Sequence, residues 1–162
     1  MNTTTTCTLL ALAGVALSVY WWRERRRSLA LRQLASKLRF VYLGKALPSS
    51  LILETTGLKG ISSCWNVIDG ERNGLRILIF DCRIGEGKGS WRRTVVAAQG
   101  NPYIFRNVPF VLNLSSEQTG DWTVLYQPKS FGIYPPGLMA TTEIEALLQL
   151  LGSGENALPL TS

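Results

Sequence analysis

The chain has 162 residues, 46% of them hydrophobic, and a net charge of +6; that is enough apolar material for one modest domain and too little charge for a disordered chain. The charge is concentrated. Arg23 to Arg39 holds seven basic residues against Glu24, whereas everything after Arg39 has ten basic and ten acidic residues, so the globular part has no cationic excess with which to displace counterions from a phosphate backbone and nucleic-acid binding is not expected.

The first element is an apolar run. From Asn2 to Trp22 there is no Asp, Glu, Lys or Arg, and "CTLLALAGVALSVYWW" is mostly Leu, Ala and Val. About 20 helical residues cross a hydrocarbon core of roughly 30 Å, so residues 3–22 suffice for a transmembrane helix if the threonine-rich start is counted. Tyr20, Trp21 and Trp22 stand where an aromatic belt would, and Arg23, Arg25, Arg26 and Arg27 follow as a basic segment for anionic headgroups. A cleaved secretory signal has the opposite order, with charge before the apolar run and small residues after it. A buried core helix is the remaining alternative. With the basic cluster after the span, the positive-inside rule predicts a single-pass protein of the cell membrane, N-terminus outside and the bulk of the chain cytoplasmic. The expected organisation is a transmembrane anchor over 1–22, a basic juxtamembrane segment over 23–27, a cytoplasmic α+β domain over 28–152 and a flexible tail over 153–162.

Next, "SLALRQLASKLRF" places Leu31, Leu34, Ala35 and Leu38 at i, i+3, i+4 and i+7, the stripe of an amphipathic helix. It is expected to pack on a sheet rather than lie on lipid. The stretch from Ser62 to Gln99 then predicts an antiparallel meander of three strands. Asn73-Gly74 suits a type I′ hairpin turn, which needs positive φ at both central residues. That turn pairs Arg72 with Leu75 and Glu71 with Arg76, and further along Val67 with Phe80 and Trp65 with Cys82. The unbroken run Ile77 to Phe80 predicts a strand covered on both faces.

The second turn, "IGEGKGSW", resembles a phosphate-binding loop only superficially. A P-loop needs G-x-x-x-x-G-K-[ST] followed by a helix, whereas here "WRRTVVAA" reads as another strand, so the turn is taken as a hairpin loop. Pro102 and Pro109 within "NPYIFRNVPFVLNL" point to an edge strand or extended segment. "DWTVLYQP" reads as a short strand. The closing helix has Thr142 and Glu145 at capping-box spacing, a stripe of Ile144, Leu147, Leu148 and Leu151, and Gly152 at the C′ position.

Taken together, Gly70, Arg72, Gly74, Phe80, Asp81 and Arg83, followed by Trp122, Tyr126, Pro128 and a terminal helix, resemble a group of uncharacterised bacterial domains held on a membrane stalk. That resemblance covers most of Ser28 to Leu151. It implies an α+β fold, an N-terminal transmembrane helix followed by an antiparallel β-meander packed by helices, and it carries no catalytic residues. The chain departs from the pattern in a shorter stretch from Asn113 to Gly120.

The absence of histidine removes Ser-His-Asp and Cys-His nucleophile systems and the usual nitrogen ligands of zinc. No metal or cofactor is expected. The three cysteines form no C-x-x-C, and Cys64 reads as an apolar side chain rather than a reactive thiol. Asp81 and Arg83 share one strand face, which suits an ion pair or a small polar site. Two functions follow. One is a non-catalytic interaction module tethered to the inner membrane surface, with a protein partner. The other is an enzyme or binding domain that takes a small anionic ligand near the glycine-rich loop through Asp81, Arg83, Lys88, Arg92 and Arg93, which requires Arg92 or Arg93 to fold back over Asp81.

Overall fold

A computed structural model of the chain describes residues 3–53, 56–87, 90–100, 114–127 and 138–152. It is an α+β fold. Helix α1 (Thr3–Leu38) is followed by β1 (Val41–Gly44), β2 (Ile61–Arg72), β3 (Leu75–Ile84), β4 (Trp91–Gln99), β5 (Ser115–Thr119), β6 (Trp122–Tyr126) and α2 (Thr141–Gly152). The six strands form one antiparallel sheet in the order β1-β2-β3-β4-β6-β5. The meander therefore holds from β1 to β4. The chain then passes over the position beside β4, forms β5 at the far edge and returns as β6 between them.

The segments expected as anchor, basic linker and first domain helix are one uninterrupted helix of 36 residues. Its C-terminal half packs as the stripe predicts: Leu31, Leu34 and Ala35 are buried against Ile68, Ile77, Ile79 and Val96, together with Ile144, Leu147, Leu148 and Leu151 of α2. Beyond the packed half, every side chain from Cys7 to Arg23 is exposed. Among the described residues no helix is both long and apolar enough to cross a membrane. The uncharged run that follows Thr6 reaches only to Trp22 before Arg23 ends it, and its Gly, Ser, Tyr and Trp residues dilute its hydropathy.

α1 ends in a Schellman motif. Phe40 N–H donates to the Ala35 carbonyl (2.8 Å) and Arg39 N–H to the Ser36 carbonyl (3.1 Å). Arg39 takes the left-handed position, φ 59°, where glycine is usual. The turn delivers Phe40 onto Gly70 of β2, where a Cβ would overlap the ring; here the backbone itself is the packing surface.

The β2–β3 hairpin has the expected turn. Asn73 and Gly74 both have positive φ, 53° and 74°, and Arg72 faces Leu75 while Glu71 faces Arg76. Asp69 and Arg76 add an ion pair of 2.7 Å on its surface. Further from the turn the register departs from strict alternation. Ile68 pairs with Ile79 but Trp65 pairs with Asp81, so β2 gains one residue here, as it does again between Ile61 and Ser63, and the expected pairs Val67–Phe80 and Trp65–Cys82 do not form; Cys64 opposes Cys82 instead. Asn66, at φ 55°, sits in this bulge. As expected, Ile77, Leu78, Ile79 and Phe80 are buried on both faces of β3. The second face is closed by Leu51 and Leu58 from the β1–β2 connection over Phe80, Val95, Trp122 and Val124.

β6 is the short strand expected, and it lies buried in the interior of the sheet. Two elements differ from their sequence reading. β5, "SSEQT", arises from the short polar stretch before it, and its hydroxyl-rich residues pair only on one side. The N-cap of α2 is Ala140 rather than Thr142: Ile144 N–H donates to the Ala140 carbonyl (3.1 Å), and Glu143 accepts from Ala140 N–H (2.7 Å). The helix includes Gly152. The segment with Pro102 and Pro109 and the tail over 153–162 lie outside the described residues.

Candidate functional site

The chemistry-bearing side chains gather where α1 crosses β1, β2 and the ends of β3 and β4. Counting back along the buried stripe from Leu31 in steps of three and four reaches Ser28, Arg27, Glu24 and Tyr20, so the same helix face that is apolar over the sheet centre becomes polar over its edge.

Asp81 is the centre of the buried part. It is wholly buried and forms an ion pair with Arg27, whose Nε and Nη2 donate to the two carboxylate oxygens (3.2 and 3.1 Å). Asn66 Nδ2 donates to one oxygen (2.9 Å) and the Thr94 hydroxyl to the other (2.7 Å). Four donors match the acceptor sites of an ionised carboxylate. Arg27 also donates to Thr94 Oγ1 (3.0 Å) and to the Met139 carbonyl, while Met139 N–H donates to Thr94 Oγ1 (3.0 Å). The bulged Asn66 accepts from Ser28 Oγ and Tyr42 Oη, each at 2.8 Å. One network thus ties α1, four strands and the lead into α2. Burial of such a pair is tolerable because every member is satisfied.

Arg27 is therefore not a headgroup ligand of the basic segment. It points into the domain. Tyr20, Trp21, Trp22, Arg23, Arg25 and Arg26 stay exposed on α1, with Arg25 stacked on Trp21 and Arg26 on Trp22 (5.3 and 4.2 Å to the ring centres).

Of the residues assigned with Asp81 to an anionic ligand, Arg83, Arg92 and Arg93 do not converge on it. Arg83 and Arg92 face each other across β3 and β4 on the helix side. Arg92 is held by Glu24 (2.5 Å) and stacks on Trp65 (4.8 Å). Arg93, one residue on, faces the opposite side, where it stacks on Trp91 and Tyr126 and donates to the Gln127 carbonyl; burial lowers its pKa. Lys88 lies outside the described residues. The fold-back of Arg92 or Arg93 over Asp81 is not made, since Arg27 has taken that place.

Beside the network lies an open cavity of about 540 Å³ between α1, the end of β1 and the first half of β2. Arg83 and Arg92 form its sheet side, Arg32 and Glu24 its helix side, and Lys45 its rim. Reading by segment missed this grouping, because Glu24, Arg32, Lys45, Trp65 and Asn66 come from separate elements; the one available signal was the backward extension of the α1 stripe.

Cys64, on the cavity wall, has its thiol pushed up to about 11 by burial, and burial pushes Cys82 up as well. Neither thiol is activated. Among the described residues no group of three or more His, Cys, Asp or Glu is placed to hold a metal ion. No family model, curated protein or solved structure matches this chain.

Proposed function

We propose that the chain is a membrane-tethered, non-catalytic interaction module, an α+β domain held at the cytoplasmic face of the cell membrane by the N-terminal half of α1. The observation that carries this reading is the exposure of that half. Leu9, Leu10, Leu12, Val15, Leu17, Val19, Tyr20, Trp21 and Trp22 are each 48–69% exposed along this half of the helix. A helix that is apolar all round belongs in lipid or in a core. The 16 residues from Cys7 to Trp22 extend about 24 Å, short of a hydrocarbon core of about 30 Å. The proposal counts the threonine-rich start of α1 into the crossing. A hydroxyl inside the helix is already accommodated, as Ser18 Oγ bonds back to the Gly14 carbonyl at 2.8 Å.

Support for a binding role over catalysis comes from Asp81, whose four hydrogen bonds leave no acceptor site for a substrate proton. The expected result for the full chain, expressed in a bacterium, is retention in membranes after an alkaline carbonate wash and activity of a cytoplasm-dependent reporter fused after Ser162. Release into the wash, or reporter activity only outside the cell, overturns the reading.

A further inference from the structure

We propose that the cavity between α1 and β2 binds a phosphate-bearing anion, and that its place on the chain makes the headgroup of an anionic phospholipid the source. This inference rests on the membrane-tethered reading for the source of the phosphate, though not for the site.

The cavity has the size of ligand sites, which run from ~300 to ~1,000 Å³. Its charge is one-sided: Arg32, Lys45, Arg83 and Arg92 line it against the single carboxylate of Glu24. Arg92 is committed to Glu24. Arg32, Lys45 and Arg83 are exposed and have no carboxylate in ion-pair reach among the described residues. Three uncompensated cations around one concavity repel each other, and a bound oxyanion relieves that repulsion.

Donors point to the same class of ligand. Arg92 Nε and Trp65 Nε1 are buried N–H groups without a hydrogen-bond partner, and both residues stand in the cavity wall. Neither N–H has exposed surface, so the donors an entering phosphate meets first are the exposed guanidinium groups of Arg32 and Arg83, and a phosphate supplies several acceptor oxygens to them at once. Arg32 stacks over the Tyr42 ring (4.8 Å), which holds its guanidinium beside the opening.

Position selects the source. Tyr20 and Glu24 belong to the cavity wall, and Tyr20 is the first residue of the aromatic cluster that ends the exposed apolar run. Arg32 lies 12 residues further along α1, about 18 Å at 1.5 Å per residue, so the cavity extends from headgroup depth into the domain. A lipid lying against α1 would bring its phosphate to the mouth without leaving the bilayer. The exposed Arg23, Arg25 and Arg26 attract anionic lipid in general; the cavity would select one.

The test uses the full chain in phosphatidylcholine nanodiscs with and without a minor fraction of phosphatidylglycerol, followed by native mass spectrometry of lipid retained after release into detergent. Wild type is expected to keep phosphatidylglycerol in preference to phosphatidylcholine. Replacing both exposed cavity arginines, Arg32→Gln with Arg83→Gln, should lower that preference about 10-fold, while Arg25→Gln with Arg26→Gln, outside the cavity, should leave most of it. Equal losses in the two variants would reduce the effect to general surface charge and overturn the site. Displacement of the lipid by equimolar glycerol phosphate would keep a phosphate site but overturn the lipid source. A chain that stays in the membrane without headgroup preference sinks this inference alone, whereas a chain absent from the membrane fraction sinks the tether.

Discussion

At Arg39 a single side chain stands in a conformation that suits glycine. The Schellman hydrogen bonds around it are complete, and the left-handed backbone is the one unfavourable feature of that turn. Arg39 is exposed and has no ion pair among the described residues. Arg39→Gly is therefore expected to stabilise the domain by about 1 kcal/mol, read as a rise in the urea midpoint. Cys64 bears on alkaline stability. Its thiol moves from an ordinary 9.0 to about 11 because burial favours the neutral form, so the folded chain holds this proton more tightly than the unfolded chain does. That contribution is complete below about pH 9 and is lost as pH rises toward about 11. Cys64→Ala should lose less stability than wild type between about pH 9 and about pH 11 in denaturant titrations. An unchanged pH slope would mean that the thiol is not held neutral by its surroundings.

Elements are joined here by a few polar clamps laid over an apolar contact. Arg27 links α1 to β3, β4 and the approach to α2 through one guanidinium. Removing it strands Asp81, which is wholly buried. Arg27→Met is expected to cost about 3 kcal/mol, the low end for breaking a buried pair because Arg27 keeps some exposure. The pair Arg27→Met with Asp81→Leu should recover most of that loss, since two apolar side chains leave no unpaired charge; failure of the double variant to recover would mean that the network positions α1 by more than charge balance. The start of α2 offers a gain. Glu143 already reaches back to Ala140 N–H, but alanine has no oxygen to return to the first turn. Ala140→Ser completes the capping box and should raise stability by about 1 kcal/mol in thermal or urea unfolding.

For the whole molecule, the continuity of α1 decides where the domain begins. A boundary between 27 and 28 follows the change from basic cluster to amphipathic stripe, yet it removes Arg27 from Asp81. A chain beginning at Arg23 should melt cooperatively, and one beginning at Ser28 should be less stable by about 3 kcal/mol, matching Arg27→Met, in parallel urea titrations. Equal stabilities would show that Arg27 is dispensable. Continuity also has a mechanical consequence. Under the proposed tether, a helix with no break between its exposed apolar half and its packed half would carry orientation as well as attachment, and the domain would meet the membrane with its cavity face toward the lipids around α1.

Much of this protein was legible without coordinates wherever the determinants were local. The Asn73-Gly74 turn, the doubly covered run from Ile77 to Phe80 and the stripes of α1 and α2 depend on periodicity and on φ preferences of one or two residues, which are properties of short segments. The α+β class and the meander through β4 followed from them. What tertiary structure alone decided was everything that depends on pairing between distant segments. The bulge at Asn66 changes which residues face Asp81, since one extra residue in a strand of period two moves every following side chain to the other face. β5 is polar and is a strand only because β6 lies beside it. Above all, a charge's partner is chosen by proximity in space. Arg27 looks like its neighbours Arg25 and Arg26 in the sequence, but the helix turns it toward a buried carboxylate 54 positions away, and it leaves Arg32, Lys45, Arg83 and Arg92 around a cavity that no single segment contains.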